Sequence, residues 1–341
     1  MSSSRSDLPI EPTEPIEPAA DTQSVANPLE KALENFSTIP VAPEGFRSGF
    51  VSIVGRPNVG KSTLLNQLVG QKIAIVSPTA QTTRNRLQGI LTLPNAQAIL
   101  VDTPGIHKPH HQLGKILVQN ALGAIRSADV LVFVVDGSAP LGKGDRFIAD
   151  WVRRAKVPTI LGINKADLQS EESGESIDES YQAIAEENGW AVIKFSALTG
   201  DGMPPLLDAL VEGLEPGPYY YPPDLVTDSP ERFIMAELIR EQILLHTRQE
   251  VPHSVAIAIE KVQELKKATR VMATVNVERK SQKGILIGKG GAMLKTIGTA
   301  ARQQIQRLVN GKVHLELFVR VQSGWRQSRM QLSEFGYRIE E

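Results

Sequence analysis

Between Phe46 and about Leu214, short apolar runs alternate with stretches whose apolar residues recur every three to four positions. The runs Gly49–Val54, Leu87–Leu93, Ala98–Val101, Val130–Val135, Thr159–Ile163 and Ala191–Phe195 read as strands. Ser62–Val69, Leu113–Arg126, Asp145–Ala155, Glu179–Glu187 and Met203–Leu214 read as helices. Nearly continuous apolar strands separated by helices predict an α/β fold, a doubly wound, mostly parallel sheet covered on both faces. Ligands of such sheets sit beyond the carboxyl ends of the strands, so chemistry is expected in the residues just after each run.

The grammar changes past residue 214. Glu215-Pro216-Gly217-Pro218-Tyr219-Tyr220-Tyr221-Pro222-Pro223 is neither helix nor central strand, and 215–227 reads as a stiff linker. Phe233–Leu245 has a helical pattern, and Ser254–Glu260 and Val271–Val277 alternate as half-buried strands do. Ile285-Leu286-Ile287 reads as strand-like and runs into Gly288-Lys289-Gly290-Gly291. Leu294, Ile297, Ala301, Ile305 and Leu308 then mark one face of a helix, and Val313, Leu315, Leu317, Val319 and Val321 alternate as a third strand. A smaller α+β domain over 228–341 is therefore expected beside a larger one over 46–214. Residues 1–45, with Glu11-Pro12-Thr13-Glu14-Pro15-Ile16-Glu17-Pro18 at their centre, have too little apolar surface to offset ordering entropy and are expected to be a disordered tail.

Composition narrows the function classes. The 341 residues contain no cysteine, which excludes disulfides, thiolate metal sites and cysteine nucleophiles. No apolar stretch approaches the ~20 residues of a membrane span, and no hydrophobic leader opens the chain, so a soluble, cytoplasmic protein is expected. The net charge of −1 hides a polarity. Residues 1–45 hold eight acids against two basic residues, whereas Lys266–Arg329 holds fourteen Lys/Arg against Glu278 and Glu316. A polyanion responds to that local field and not to the sum.

The strongest motif follows the first strand. Gly55-Arg56-Pro57-Asn58-Val59-Gly60-Lys61-Ser62-Thr63 fits G-x-x-x-x-G-K-[ST] between a strand and a helix. Glycines let backbone N–H groups crowd round phosphate oxygens, and the helix N-terminus adds positive potential. Lys61 supplies charge to the β/γ-phosphates, and Ser62 a hydroxyl to Mg²⁺. Asp102-Thr103-Pro104-Gly105 ends the third strand; its acid can reach Mg²⁺ through a bound water, and the Gly105 N–H can contact a γ-phosphate. Alone, D-x-P-G is ordinary turn chemistry. Asn164-Lys165-Ala166-Asp167 ends the fifth strand. The Asp167 carboxylate can accept from guanine N1–H and its exocyclic amine, a donor pair that adenine lacks. Asn164 can approach the imidazole side of the base, and the stem of Lys165 can cover the purine face. Ser196-Ala197 then offers a backbone N–H to the guanine carbonyl.

In that order, residues 46–214 resemble the translation-factor-like GTPases. Gln81-Thr82-Thr83-Arg84 looks like their first switch loop, and the resemblance implies Thr83, of the two adjacent threonines, as a second Mg²⁺ ligand. Lys61, Thr83 and Gly105 are then the groups expected round the transferred phosphoryl. Ile106 stands where Ras-type proteins carry a water-orienting glutamine, so slow intrinsic turnover is expected. Similarity to GTPases with an asparagine in the phosphate loop suggests that Asn58 helps to hold K⁺. His107, His110 and His111 read as exposed loop histidines in the second switch and not as a metal cluster.

In the basic end, a G-x-x-G loop entering a helix can press its backbone against nucleic acid. Gly288, Lys289, Gly290, Gly291, Lys295, Arg302 and Arg307 are the candidate contacts. The order of elements resembles the bacterial form of the KH domain. A GTPase joined to a C-terminal KH domain closely resembles the Era family of bacterial ribosome-assembly GTPases over residues 46–341. The resemblance includes Lys283–Gly291, His314-Leu315-Glu316-Leu317 and Ser323-Gly324-Trp325. A monomer is expected, and the resemblance implies a partner of the small ribosomal subunit, binding single-stranded rRNA near the 3′ end of the small-subunit rRNA and acting in that subunit's maturation. It also implies some peripheral association with the inner membrane face. The acidic tail departs from the family pattern, in which the GTPase domain starts near residue one.

Overall fold

The computed structural model describes residues 39–79, 81–106, 109, 111–309 and 311–339; most of the acidic tail, His107 and His110 lie outside the described residues. The larger domain comprises β1 (Arg47–Val54), α1 (Lys61–Val69), β2 (Leu87–Leu93), β3 (Ala96–Asp102), α2 (Gln112–Arg126), β4 (Val130–Asp136), α3 (Lys143–Ala155), β5 (Thr159–Asn164), α4 (Glu171–Asn188), β6 (Ala191–Lys194) and α5 (Met203–Gly213). Its sheet runs β2-β3-β1-β4-β5-β6, with β2 antiparallel and the remaining neighbours parallel. Val130–Val135 of β4 is buried on both faces, as its unbroken apolar run requires. Ile53, Leu64 and Leu100 belong to the core on one side of the sheet, and Phe133, Ile148 and Tyr181 to the core on the other.

The Pro/Tyr-rich stretch lies along this domain. Ser48 N–H donates to Glu215 O at 3.0 Å, the Tyr219 ring sits 4.3 Å from that of Phe46, and Gln97 Nε2 donates to Tyr221 O at 2.9 Å. Proline removes the competing donors, so tyrosine packing and isolated hydrogen bonds hold the segment where a continuous ladder cannot form.

The smaller domain comprises α6 (Glu231–His246), β7 (Ala256–Leu265), β8 (Ala268–Val277), α7 (Lys280–Ile287), α8 (Ala292–Ile305), β9 (Lys312–Val321) and α9 (Arg329–Glu334). The sheet order is β7-β8-β9, with β7 and β8 antiparallel and β8 and β9 parallel. Here the sequence expectation needs correction. Ile285-Leu286-Ile287 is not strand-like; it is the last turn of α7. Three adjacent apolar residues carry no period, and the decisive signal lies before them. Gln282 Oε1 accepts from Glu278 N and Arg279 N, both at 2.9 Å, which starts the helix. The glycine loop therefore joins two helices.

Between the domains, Trp325 is fully buried with Leu113 and Leu117 of α2 and with Leu332 and Tyr337. Its Nε1–H donates to Ser254 O at 3.0 Å, which satisfies the one polar group it carries inside.

Candidate functional site

The ends of β1, β3 and β5 bring their motifs to one cavity of about 520 Å³. Lys61, Ser62, Thr83, Gly105, Asn164 and Asp167 are among the residues lining it. In the loop after β1, Asn58 and Gly60 adopt left-handed backbone, φ 64° and 99°. A Cβ at Gly60 would fall 2.2 Å from Asn164 Nδ2, so only glycine permits this approach. Lys61 Nζ donates to Arg56 O at 2.8 Å and Gly55 O at 3.2 Å. Burial pushes the Lys61 ammonium down to about 8, against the opposing pull of Asp102.

Three oxygen-bearing side chains converge beside it. Ser62 Oγ donates to Asp102 Oδ2 at 2.5 Å and lies 2.8 Å from Thr83 Oγ1, which also donates to Asp102 Oδ2 at 3.1 Å. Thr82 turns the other way, donating to Thr79 O at 2.6 Å. Asp102 is completely buried, and its Oδ1 has no hydrogen-bond partner. Burial raises its pKa, while Lys61, Ser62 and Thr83 pull it back. A buried carboxylate oxygen without a partner, set among hydroxyls, fits a hard divalent cation such as Mg²⁺ held through oxygen and water. Thr103 Oγ1 donates instead to Ile53 O at 2.8 Å, tying β3 to β1. The Ile106 side chain is buried in the sheet core, and its N–H donates to Gly55 O at 3.4 Å. An aliphatic group held inward orients no water.

On the base side, the structure alters two expectations. Asn164 Nδ2 donates to Val59 O at 2.7 Å, and its Oδ1 accepts from Ala197 N at 2.9 Å. Both ends of its amide tie the phosphate loop to the Ser196-Ala197 loop, so it braces the two loops at the cavity wall. The N–H of Ala197, expected at a guanine carbonyl, is occupied by Asn164, and that of Ser196 by Asp201 O at 2.9 Å. Lys165 pairs with Asp136 at 2.5 Å, which orients its stem. Burial pushes the Asp136 carboxyl up, but hydrogen bonds from Lys165 and Ser138 outweigh it and hold the group below its usual range. Asp167 is exposed at the cavity rim, flanked by Leu168 and Leu198 at 62% and 75% exposure. These two leucines, absent from the sequence expectations, give a planar base apolar walls. Hydrophobic residues inside a motif loop, where a buried position is not available, were the signal for them.

Arg56 is turned away from the cavity toward α3, where its Nε donates to the buried Asp145 at 2.7 Å. Asp145 also accepts from Gly142 N at 3.0 Å, so one carboxylate caps α3 and braces the phosphate loop. His111 contacts the Gln327 amide at 3.3 Å, and no group of three or more His, Cys, Asp or Glu capable of holding a metal occurs among the described residues.

The basic domain carries a second cavity of about 320 Å³, lined by Gly291, Lys295, Gly298, Arg302, Leu315 and Leu317 among others. Nothing lies within 4 Å of where a Cβ would project at Gly290 or Gly291, and both have left-handed backbone, φ 58° and 81°. The loop thus offers bare backbone to solvent at the start of α8. Lys289 and Lys295 are exposed, and Arg302 is held by Gln306 at 3.4 Å. The apolar wall from β9 was missed in the sequence, although half-buried Leu315 and Leu317 in its alternating strand point to it.

A family model described as 50S ribosome-binding GTPase matches residues 50–165, and a KH domain model matches residues 250–326. The GTPase Era of Synechocystis sp. is 66% identical over 305 residues, 89% of this chain and 97% of its own length. That of Nostoc sp. is 68% identical over 304 residues, covering 89% and 94%. A crystal structure of Era in complex with MgGDPNP and nucleotides 1506–1542 of 16S ribosomal RNA matches at TM-score 0.82 and 36% identity, over 86% of this chain and 99% of that one. Aquifex aeolicus Era bound to GDP and AlF4⁻ matches at TM-score 0.81 and 35% identity, with the same coverage.

The depressed Lys61 pKa has a signed consequence. Below pH 8 the ammonium is already charged, and phosphate binding needs no proton; above it, binding must take one up. Affinity for a nucleoside triphosphate is expected to fall between pH 8 and 9, by up to about tenfold per unit. Calorimetry at pH 8.5 in two buffers of different ionisation heat reads the proton uptake, which Lys61→Met abolishes.

Proposed function

The chain belongs to the Era family of GTPases, and from that premise we propose that it is a GTP-driven switch acting on small-subunit rRNA during assembly of the small ribosomal subunit. The convergence of the phosphate loop, the Ser62 and Thr83 hydroxyls backed by buried Asp102, and Asp167 on one cavity carries the nucleotide half of this reading. Gly55–Thr63 cradles the phosphates, with Lys61 on the β- and γ-groups and the Gly105 N–H facing the γ-phosphate. Ser62 and Thr83 would ligate Mg²⁺, and Asp102 would hold one of its waters; the ion neutralises charge on the triphosphate when bound. Asp167 reads the guanine edge, between Leu168 and Leu198. The inward Ile106 leaves the attacking water without a side chain to orient it, so intrinsic hydrolysis is slow.

Asn58 is proposed to help hold K⁺. Its amide nitrogen is engaged by Pro78 O at 2.8 Å, which leaves the amide oxygen as its side-chain acceptor. The RNA half rests on the glycine loop, the exposed lysines and the apolar wall of the second cavity. The Era relative in complex with 16S rRNA nucleotides 1506–1542 supports single-stranded RNA near the 3′ end of that molecule as the ligand. The peripheral membrane contact implied by the resemblance is part of the proposal; among the described residues no helix is long and apolar enough to cross a membrane.

Three measurements test this reading. Asp167→Asn is expected to exchange GTP preference for xanthosine triphosphate; retained GTP preference removes the assignment of the base. Lys289→Glu is expected to weaken single-stranded RNA binding and lower the salt slope by about one. Unchanged affinity and slope count against the glycine loop. Hydrolysis is expected to be faster in K⁺ than in Na⁺ buffer, and equal rates eliminate the role given to Asn58.

A further inference from the structure

Both neighbours of Thr83 are held by the second domain. On one side, buried Arg240 of α6 is paired with Glu237, Nε to Oε1 at 2.8 Å, and donates from Nη2 to the Thr82 carbonyl. On the other side, buried Arg84 reaches across, donating to Val255 O at 2.6 Å and Pro252 O at 3.0 Å. Its guanidinium carbon lies 5.9 Å from the centre of the Tyr337 ring. Earlier in the same segment, buried Glu241 of α6 accepts from Val76 N at 2.8 Å and from Lys72 Nζ at 2.7 Å, while Ile75 packs in the core of the second domain. The Thr83 hydroxyl points back, to Ser62 and Asp102.

Buried arginines and a buried glutamate are costly unless each finds its partners. Here those partners include backbone groups of the switch segment, Thr82 O and Val76 N, and the second-domain carbonyls of Val255 and Pro252 that Arg84 reaches. The arrangement that brings these groups together is also the one that delivers Thr83 to the oxygen cluster. We infer that Arg84 and Arg240 are positioning residues for the Thr83 hydroxyl, so that the RNA-binding domain supplies the scaffold presenting this Mg²⁺ ligand to the triphosphate. The inference rests on the proposed role of Thr83. It makes the metal half of the GTP site depend on docking of the two domains, while the diphosphate half depends on the phosphate loop alone.

The test is a Mg²⁺ titration of fluorescent GDPNP and GDP binding to the full chain, with Arg84→Gln, Arg240→Gln and Thr83→Ala beside the wild type. Both glutamine variants are expected to raise the Mg²⁺ midpoint for GDPNP by about 5- to 100-fold, as Thr83→Ala does. GDP affinity should stay within about twofold, because a ligand that does not discriminate between loop arrangements feels no shift between them. Intact GDP binding also shows that the variant is folded; where a glutamine variant loses it, the lysine variant at that position takes its place. Lysine keeps the charge without the fork, and its midpoint should be intermediate. Wild-type GDPNP midpoints in the arginine variants, with Thr83→Ala shifted, overturn the inference and leave the proposed function standing. No shift in Thr83→Ala overturns the role of Thr83, and this inference with it.

Discussion

The nucleotide half of the molecule depends on one buried carboxylate. Asp102 lies at the end of β3, fully enclosed, with one oxygen shared by Ser62 and Thr83 and the other without a protein partner. A carboxylate in that position is tolerable only beside compensating charge, and Lys61 provides part of it. The two groups restrain each other: the acid limits how far burial depresses the amine, and the amine limits how far it raises the acid. In the proposed function both would meet a third party of high charge density, a metal-bound triphosphate. Because β1 and β3 are parallel neighbours, with Ile53 opposite Asp102, the loops leaving them cannot separate without breaking the sheet.

Around that carboxylate, most contacts brace the site without touching a ligand. Asp145 supports the phosphate loop through Arg56, and Asn164 ties the phosphate loop to the base loop. Asp136 aims Lys165. The first switch segment is treated differently: it is also anchored on the other domain, on Arg240, Glu241 and the carbonyls that receive Arg84. A site whose rigid parts are braced within one domain and whose adjustable part is anchored on another is built to report one domain's state to the other. By linkage, whatever metal and triphosphate gain from the docked arrangement, that arrangement gains from them.

Strands with unbroken apolar runs, such as Val130–Val135, and motifs at their ends were legible because burial and phosphate chemistry each constrain residue type locally. The sheet, its helices and the positions of Lys61, Ser62, Asp102 and Asp167 follow from such local rules. Three features were not legible, for distinct reasons. The run Ile285–Ile287 is too short to show a period, and its helical state is set by a capping glutamine upstream. Asn164 carries two kinds of group, and nothing in its sequence position says whether they face a base or the backbone. Arg84 and Arg240 lie 156 positions apart, so their joint hold on Thr83 exists only after the domains have docked. Charged residues in the middle of α6, where Leu238–Leu244 is buried on every side, were the available hint, since such a stretch retains an arginine and a glutamate only for specific partners.

The central claim is that the triphosphate site and the RNA-binding domain share one adjustable segment. Affinity of the full chain for a single-stranded RNA matching the 3′ end of small-subunit rRNA, measured at fixed salt with Mg²⁺ and either GDPNP or GDP, tests it most directly. The account predicts affinities that differ by about fivefold or more between the two nucleotides, the range of ordinary coupling energies. Equal affinities would contradict it.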